Sequence, residues 1–436
     1  AGGRWQVSPG MANNTDNPYG GQSHVIDGTT YHLDGQPLAA GGPYGLWYLA
    51  TYGPGHDQAA IRVEQDATPP VLRVLAKAHN HDPRDRGFRG VRRQIRGVTY
   101  RLHWPVCEGG SEGLVYFASG SNQSVAAIKV HVRRGTPHNE LDIINSWNLE
   151  TTVHERLQQG APESLRLVRL LGTARCTGTY PCMSVLELAE HDLFQEMYNR
   201  YTAASRCRTL HTTGCMSDAD ARSMFEQLLA GLQHLRDRGY VHCDVKLDNA
   251  LVTSTDPLVV KLADLGGAKP IRDPNQGAGS LGYMAPEVLL WRKQQAARVD
   301  PSQRVAYDEE KADVWSLGVL LLGLKFGVQI RRHPYPPGTP GVTPAQRNVT
   351  YQVLQMAQQD RRNGVLDIAR IGLDRGHQPW QYVSGGQEGL ALGDLLNYEL
   401  GDLLNGMLHH DPAQRLSLQQ VALHPWVAGG GGPGGG

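Results

Sequence analysis

Apolar and polar positions alternate with a period of two over 100–106, 114–118 and 125–130, and the turns between these runs are rich in Gly, Ser and Asn. That pattern predicts three antiparallel strands. The spacing then turns helical. Leu141, Ile144, Leu149, Val153 and Leu157 predict an amphipathic helix over 141–157, set off by Gly135 and Pro137. Runs at 165–171 and 183–188 complete an expected five-stranded sheet. From there on helices dominate. A short helix starts over 192–197, a polar insert fills 201–215, and Ser217 to Asp220 cap a long helix over 221–236. Its Met224, Leu228, Leu229, Leu232 and Leu235 form a core stripe. After a second insert at 291–306, a helix over 315–324 is apolar nearly all round and should be buried. A loop at 334–344, helices over 390–407 and 417–424, and a disordered glycine tail from 429 end the chain.

The chain also repeats itself. Thr30-Tyr31-His32-Leu33, then 41–50, then Ala59-Ala60-Ile61-Arg62-Val63 recur in order as Thr99-Tyr100-Arg101-Leu102, 109–118 and Ala126-Ala127-Ile128-Lys129-Val130. Matched order and near-equal spacing favour duplication over the accidental alignment of two hairpins of similar composition, with an extra three-stranded element expected in 30–63. Between the copies, 79–97 carries Arg84, Arg86, Arg89, Arg92, Arg93 and Arg96 among glycines. With little aromatic interleaving for base stacking, it is expected to be a solvated connector, and no specific nucleic acid is expected as partner.

Composition narrows the classes. The 436 residues hold 42 basic and 42 acidic side chains, so no global attraction to polyanions is implied. Six cysteines show no CxxC spacing, which disfavours zinc and makes reduced thiols the default, with Cys207 and Cys215 able to pair if the protein is exported. No apolar run reaches transmembrane length. A soluble, cytoplasmic protein is the default expectation, with secretion left open.

Chemistry concentrates in His242-Cys243-Asp244-Val245-Lys246-Leu247-Asp248-Asn249, followed in order by Asp264-Leu265-Gly266, Ala285-Pro286-Glu287 and Asp313-Val314-Trp315. These motifs resemble those of the eukaryotic protein kinases, serine/threonine branch, over about 99–427. The resemblance implies a bilobal α+β fold: a five-stranded antiparallel small lobe with one helix over 99–188, a mainly helical large lobe over 189–427, an extension over 1–98 and a tail over 428–436. It implies ATP and Mg2+ as cofactors and a protein serine or threonine as acceptor. Asp244 would take the hydroxyl proton, Lys246 neutralise the γ-phosphate, and Asn249 and Asp264 bind magnesium. Lys129, in Ala126-Ala127-Ile128-Lys129, would contact the α- and β-phosphates, aimed by Glu150 or, in another helix register, by Glu155. Gly110 and Gly113 would belong to the phosphate-covering loop. Val115, Ala127 and Leu251 would enclose adenine beside the backbone of Glu187 to Ala189, with Leu186 as gatekeeper. Glu287 would pair with Arg415, Ser280 would bridge Asp244 and Lys246, and His242 and Asp313 would brace the loop.

There are departures from the family pattern. The glycine loop has Glu108 at its first glycine, unless a bulge puts Cys107 there, and Glu112 at its tip, where a carboxylate near triphosphate is unfavourable. Cys243 replaces the arginine that receives an activation-loop phosphate, and 264–279 holds no Ser, Thr or Tyr. Control by loop phosphorylation is therefore not expected, leaving constitutive activity or regulation by 30–63. Arg62 at the lysine position assigns nucleotide to the second copy, since a guanidinium does not replace a compact ammonium. The alternative functions are a pseudokinase or scaffold, and a small-molecule kinase of related fold.

Overall fold

The computed structural model describes residues 19–26, 28–38, 46–54, 57–64, 71–78, 87–108, 113–132, 140–162, 165–177, 180–206, 216–272, 279–280, 282–304, 306–326, 398–409 and 411–429. They form two compact units, one built from the chain up to 158 with 168–190, the other from 159–167 and the chain from 191 on.

The first unit holds two antiparallel sheets. Strands β1 (Ser23–Ile26), β2 (Thr29–Leu33), β3 (Leu46–Tyr52), β4 (Asp57–Glu64) and β5 (Val71–Ala78) pair in chain order. Strands β6 (Arg92–Ile95), β7 (Val98–Glu108), β8 (Leu114–Gly120), β9 (Val125–His131), β10 (Leu170–Ala174) and β11 (Cys182–Leu186) form the second sheet in the order β10-β11-β9-β8-β7-β6, and helix α1 (Glu140–Gln158) connects β9 to β10. Side chains alternate between faces. One face of the first sheet buries Tyr31, Leu33, Tyr48, Ile61 and Val63, and one face of the second buries Leu102, Tyr116, Ile128, Met183 and Val185. The opposite faces meet each other. Trp47 and Ala60 pack with Trp104 and Phe117, joined by Leu38, Leu49, Val106, Val125 and Leu188.

The central hairpins of the two sheets have the same register. Leu46↔Val63, Trp47↔Arg62, Tyr48↔Ile61 and Leu49↔Ala60 correspond to Leu114↔Val130, Val115↔Lys129, Tyr116↔Ile128 and Phe117↔Ala127. The likeness also reaches upstream of the quoted repeat. Ile26↔Thr29 and Ile95↔Val98 close equivalent tight turns, in which Gly28 and Gly97 take positive φ angles of 76° and 82°. A side chain at either glycine would be strained there.

Several expectations change. The extension forms five strands where three were expected, and the second sheet has six because the arginine-rich segment supplies β6. That segment is not simply solvated. Arg93 donates to the Arg175 carbonyl at 2.7 Å, Arg89 to Gln58 at 2.6 Å, and Arg96 pairs with Glu155. The strand expected at 165–171 starts at Leu170. Leu141 and Leu149 of α1 are exposed, Leu149 by 54%, while Trp147, Glu150, Thr151, His154 and Leu157 are buried. Counting apolar positions misplaced that face because Glu150, Thr151 and His154 enter it with their polar groups satisfied. Thr151 Oγ1 donates to the Trp147 carbonyl at 2.7 Å, and His154 Nε2 lies 2.6 Å from the Val168 carbonyl. Cys176 and Cys182 form a disulfide between β10 and β11, correcting the expectation of reduced thiols. Cys207 and Cys215 lie outside the described residues.

Burial holds His154 and His103 at about 4, well below the usual imidazole value. Each is depressed when folded, so the unfolded chain binds more protons between about pH 4 and 6.5 and stability is lost as pH falls through that window. A shift of this size is worth on the order of 3 kcal/mol per histidine once both states have titrated. Urea unfolding from pH 7.5 to 4.5 should show this acid limb, and His154→Leu should make it shallower; an unchanged slope would contradict the assignment.

The second unit is mainly helical: α2 (Leu193–Arg206), α3 (Asp218–Asp237), α4 (Pro286–Ala296), α5 (Glu309–Phe326), α6 (Tyr398–Met407), α7 (Leu418–Leu423) and α8 (Pro425–Ala428). Short strands β12 (His191–Asp192), β14 (Ala250–Thr255) and β15 (Leu258–Leu262) make one sheet, and β13 (Tyr240–Val241) pairs with β16 (Lys269–Pro270). Ser217 caps α3 by accepting from the Asp220 amide at 3.1 Å, and the stripe Met224, Leu228, Leu229, Leu232 and Leu235 is buried as patterned. Helix α5 is buried along most of its length, as its unbroken apolar run requires. Two inserts shrink: α2 continues to Arg206, and α4 takes in Trp291, which is buried. The segment 334–344 and the glycine tail beyond 429 lie outside the described residues. No helix among the described residues is long and apolar enough to cross a membrane.

Candidate active site

The candidate residues gather into one group in each unit. In the first unit, Val115 lies opposite Lys129 and Phe117 opposite Ala127, so Val115, Ala127 and Lys129 share one face of the sheet. Lys129 Nζ donates to both carboxylate oxygens of Glu150, at 2.9 and 3.0 Å, and both side chains are buried. Glu155 is 51% exposed and pairs with Arg96 at 3.1 Å. Glu150 therefore holds the lysine. Gly113 lies against β9, where an added Cβ would come within 2.7 Å of the Val130 carbonyl oxygen. Gly110 and Glu112 lie outside the described residues. Leu186 sits across from Ala127, and Glu187 is tied to Arg169 twice, donating to its carbonyl at 2.9 Å and accepting its amide at 2.8 Å. Half-buried Ala189 follows two residues later.

In the second unit, the loop after β13 is hung from α5. Asp313 accepts the amides of His242 at 2.7 Å and Cys243 at 2.9 Å. Complete burial pushes the Asp313 carboxyl up to about 7, against the pull of those two donors. His242 is also buried, which lowers its basicity, and its neutral ring bonds the Ala263 carbonyl at 3.1 Å. Ala263 in turn donates to the Asn249 carbonyl at 2.8 Å, so the loops bearing Asn249 and Asp264 are stitched together. Cys243 and Asp264 both adopt positive φ, 64° and 59°. Such strain costs about 1–3 kcal/mol per non-glycine residue and clusters where function over-determines the backbone.

Asp244 is oriented by two donors on one oxygen. Lys246 Nζ approaches Oδ2 at 2.6 Å and Asn249 Nδ2 at 3.0 Å, while the same amide also reaches the Asp244 carbonyl at 2.9 Å. Lys246 is shared with Ser280 Oγ at 2.9 Å, one arm of the bridge expected for that serine, while no hydrogen bond among the described residues joins Ser280 to Asp244. The other oxygen, Asp244 Oδ1, is buried and has no hydrogen-bond partner among the described residues. A small cavity is lined by Asp244 together with Cys243, Ser280, Tyr283 and Asp313. Burial and the Asp313 carboxylate push the Cys243 thiol up, so it has no thiolate character to act as a nucleophile. Leu251, half-buried on β14, pairs with Asp192 of β12.

The match to the protein kinase domain spans residues 108–427. The chain belongs to the protein kinase family. The kinase is 30% identical over 223 residues to human serine/threonine-protein kinase ULK3, which covers 50% of this chain and 36% of that protein. It is 27% identical over 263 residues to mouse testis-specific serine/threonine-protein kinase 5, covering 57% of this chain and 55% of the relative. Against the rabbit calcium/calmodulin-dependent protein kinase type II subunit delta it is 26% identical over 291 residues, 66% of this chain and 43% of that one. The kinase thus spans about a third to just over half the length of these relatives.

Two further pairs escaped the sequence reading. Lys269 Nζ lies 3.8 Å from Glu309 Oε1, both buried, and both act electrostatically on Cys243. Glu309 stands in the acidic run Asp308-Glu309-Glu310, which reads as a solvated helix start and gives no sign that its middle member is buried. The other pair is Arg62 with Glu190, joined at 2.8 Å.

Proposed function

We propose that this kinase transfers the γ-phosphate of Mg-ATP to a serine or threonine hydroxyl of a protein, with Asp244 as the base. The observation that carries this reading is the asymmetry of the Asp244 carboxylate. Lys246 and Asn249 occupy Oδ2, and a buried Oδ1 is left as an acceptor. A buried acceptor without a donor costs about 1–3 kcal/mol, so its persistence fits a hydroxyl that arrives with substrate.

The chain's donor set fits a magnesium nucleotide. With its nitrogen spent on Asp244, Asn249 keeps its amide oxygen for a hard cation, and Asp264 supplies a carboxylate from a strained turn. Bound magnesium would neutralise charge on the phosphates. Lys129, held by Glu150, would bind the α- and β-phosphates. Gly110 and Gly113 would let backbone approach them, and Lys246 would face the γ-phosphate. Val115, Ala127 and Leu251 would contact adenine, and the backbone of Glu187 and Ala189 would bond its edge.

Activity is proposed to be constitutive with respect to loop phosphorylation. Cys243 cannot bind a phosphate, 264–279 offers no acceptor, and Lys269 already has Glu309 as counter-charge. The Cys176–Cys182 bond supports an oxidising compartment over the cytoplasm. The domain reading offered is a kinase lobe pair over 99–427 preceded by a partial copy of its first strands, supported by the shared hairpin registers.

The test is transfer from radiolabelled ATP to general protein substrates with magnesium or manganese, followed by phosphoamino-acid analysis. Phosphoserine or phosphothreonine is expected. No transfer with either metal would overturn the reading in favour of a binding scaffold, and phosphotyrosine alone would overturn the acceptor class. Within an active enzyme, Glu150→Gln should lower kcat/KM by about 10- to 100-fold, because Lys129 loses its orienting charge. Glu155→Gln should stay within about twofold, as exposed pairs contribute little. Equal losses in both would refute the assignment of Glu150.

A further inference from the structure

We infer that Arg62 is a positioning residue for nucleotide, and that the N-terminal sheet is a built-in brace for the segment 187–190. The inference rests on the kinase reading above and adds a role for the first copy.

Arg62 occupies on β4 the place that Lys129 occupies on β9, opposite Trp47 where Lys129 is opposite Val115. The face that carries Val115, Ala127 and Lys129 in the second sheet therefore carries Trp47, Ala60 and Arg62 in the first. That face cannot take a second nucleotide. Trp47 fills the place of Val115 and stacks on Phe117, with ring centroids 6.3 Å apart and planes at 27°, and Ala60 is fully covered by the same aromatic cluster. The position equivalent to Lys129 also carries a cation here, and it points to different partners. Arg62 Nη2 lies 2.8 Å from Glu190 Oε1, with side chains only 5% and 4% exposed. Glu64 accepts from Arg62 at 2.5 Å and from Arg73 at 2.7 Å, which completes an alternating network of two cations and two anions.

The consequence lies in the segment that Glu190 ends. Glu187 is bonded to Arg169 at one end, Leu188 is packed into the Trp47–Trp104–Phe117 cluster, and Glu190 is held by Arg62 at the other end. Ala189, whose backbone is proposed to bond adenine, lies between these anchors. A buried carboxylate deprived of its cation must move toward water or take up a proton. Either outcome shifts the backbone next to Ala189 and leaves Asp244 untouched.

In the intact 436-residue chain, Arg62→Met keeps the aliphatic stem and removes the charge. It should raise the KM for ATP about tenfold with kcat within about twofold, the pattern of lost nucleotide binding. Glu190→Gln should do the same. Arg62→Lys keeps a cation within reach of both Glu190 and Glu64 and should return the KM to within about threefold of wild type, which a merely structural loss would not do. An unchanged KM in Arg62→Met, or parallel losses of kcat and melting temperature without rescue by Arg62→Lys, overturns the brace while leaving the kinase reading intact. Binding of a fluorescent ATP analogue to the same variants reads the same affinity shift without turnover. A wild type that binds the analogue and transfers nothing would sink only the activity.

Discussion

Asp244→Ala is expected to lower the rate of phosphate transfer by about 10²–10⁴-fold, the range general-base catalysis contributes, while the KM for ATP and the unfolding midpoint barely move. The rate falls because the variant removes the acceptor Oδ1 and the point on which Lys246 and Asn249 converge. The fold is spared for a separate reason. Oδ1 is buried without a partner, so deleting it relieves a desolvation cost of about 1–3 kcal/mol and offsets the loss of the Lys246 contact. Lys246 keeps Ser280 at 2.9 Å, and the loop stays hung from Asp313 through the amides of His242 and Cys243. Single-turnover transfer and thermal unfolding on the same preparation give both numbers. A variant that keeps more than about a tenth of the rate, or one that is unfolded, would contradict the role given to Asp244.

The residues that could be read from the sequence are those whose chemistry depends on short spacing. Asp244, Lys246 and Asn249 lie within one loop, so their order in the chain nearly dictates that their side chains meet. Alternation located β8 and β9, and the period of α3 located its buried stripe. Helix α1 misled because its inward face uses Glu150 and His154, which find partners outside the helix, and Thr151, which bonds back to its own helix, so these buried positions carry no apolar signature. The arginine-rich segment misled in the opposite direction. Its composition reads as solvated, yet β6 needs only backbone pairing with β7, and its guanidinium groups find acceptors on other elements. Glu190 could not be found from spacing at all, since its partner Arg62 is more than a hundred residues away on a strand of the first sheet.

Arg415→Met should destabilise the second unit by about 3–5 kcal/mol, the cost of leaving a buried charge without its partner. Arg415 is fully covered and meets Glu287 through two parallel contacts, Nη1 to Oε1 at 2.6 Å and Nη2 to Oε2 at 3.0 Å. Its remaining donors are also placed, Nε on the His409 carbonyl at 3.0 Å and Nη1 on the Lys311 carbonyl at 2.8 Å, and the guanidinium lies 5.1 Å from the centre of the Trp315 ring. The pair itself is a different matter from its breakage. Buried ion pairs replaced on both sides by apolar groups are often neutral, because two desolvation costs vanish with the attraction. Glu287→Leu combined with Arg415→Met should therefore recover the larger part of the loss. Recovery should stop short of wild type by about 1–3 kcal/mol, since the buried His409 carbonyl and the part-buried Lys311 carbonyl lose the donors that Arg415 supplied. Chemical unfolding of the single and double variants separates these contributions. A double variant no more stable than Arg415→Met would mean that the arginine acts through the two carbonyls and Trp315, with Glu287 only its neighbour.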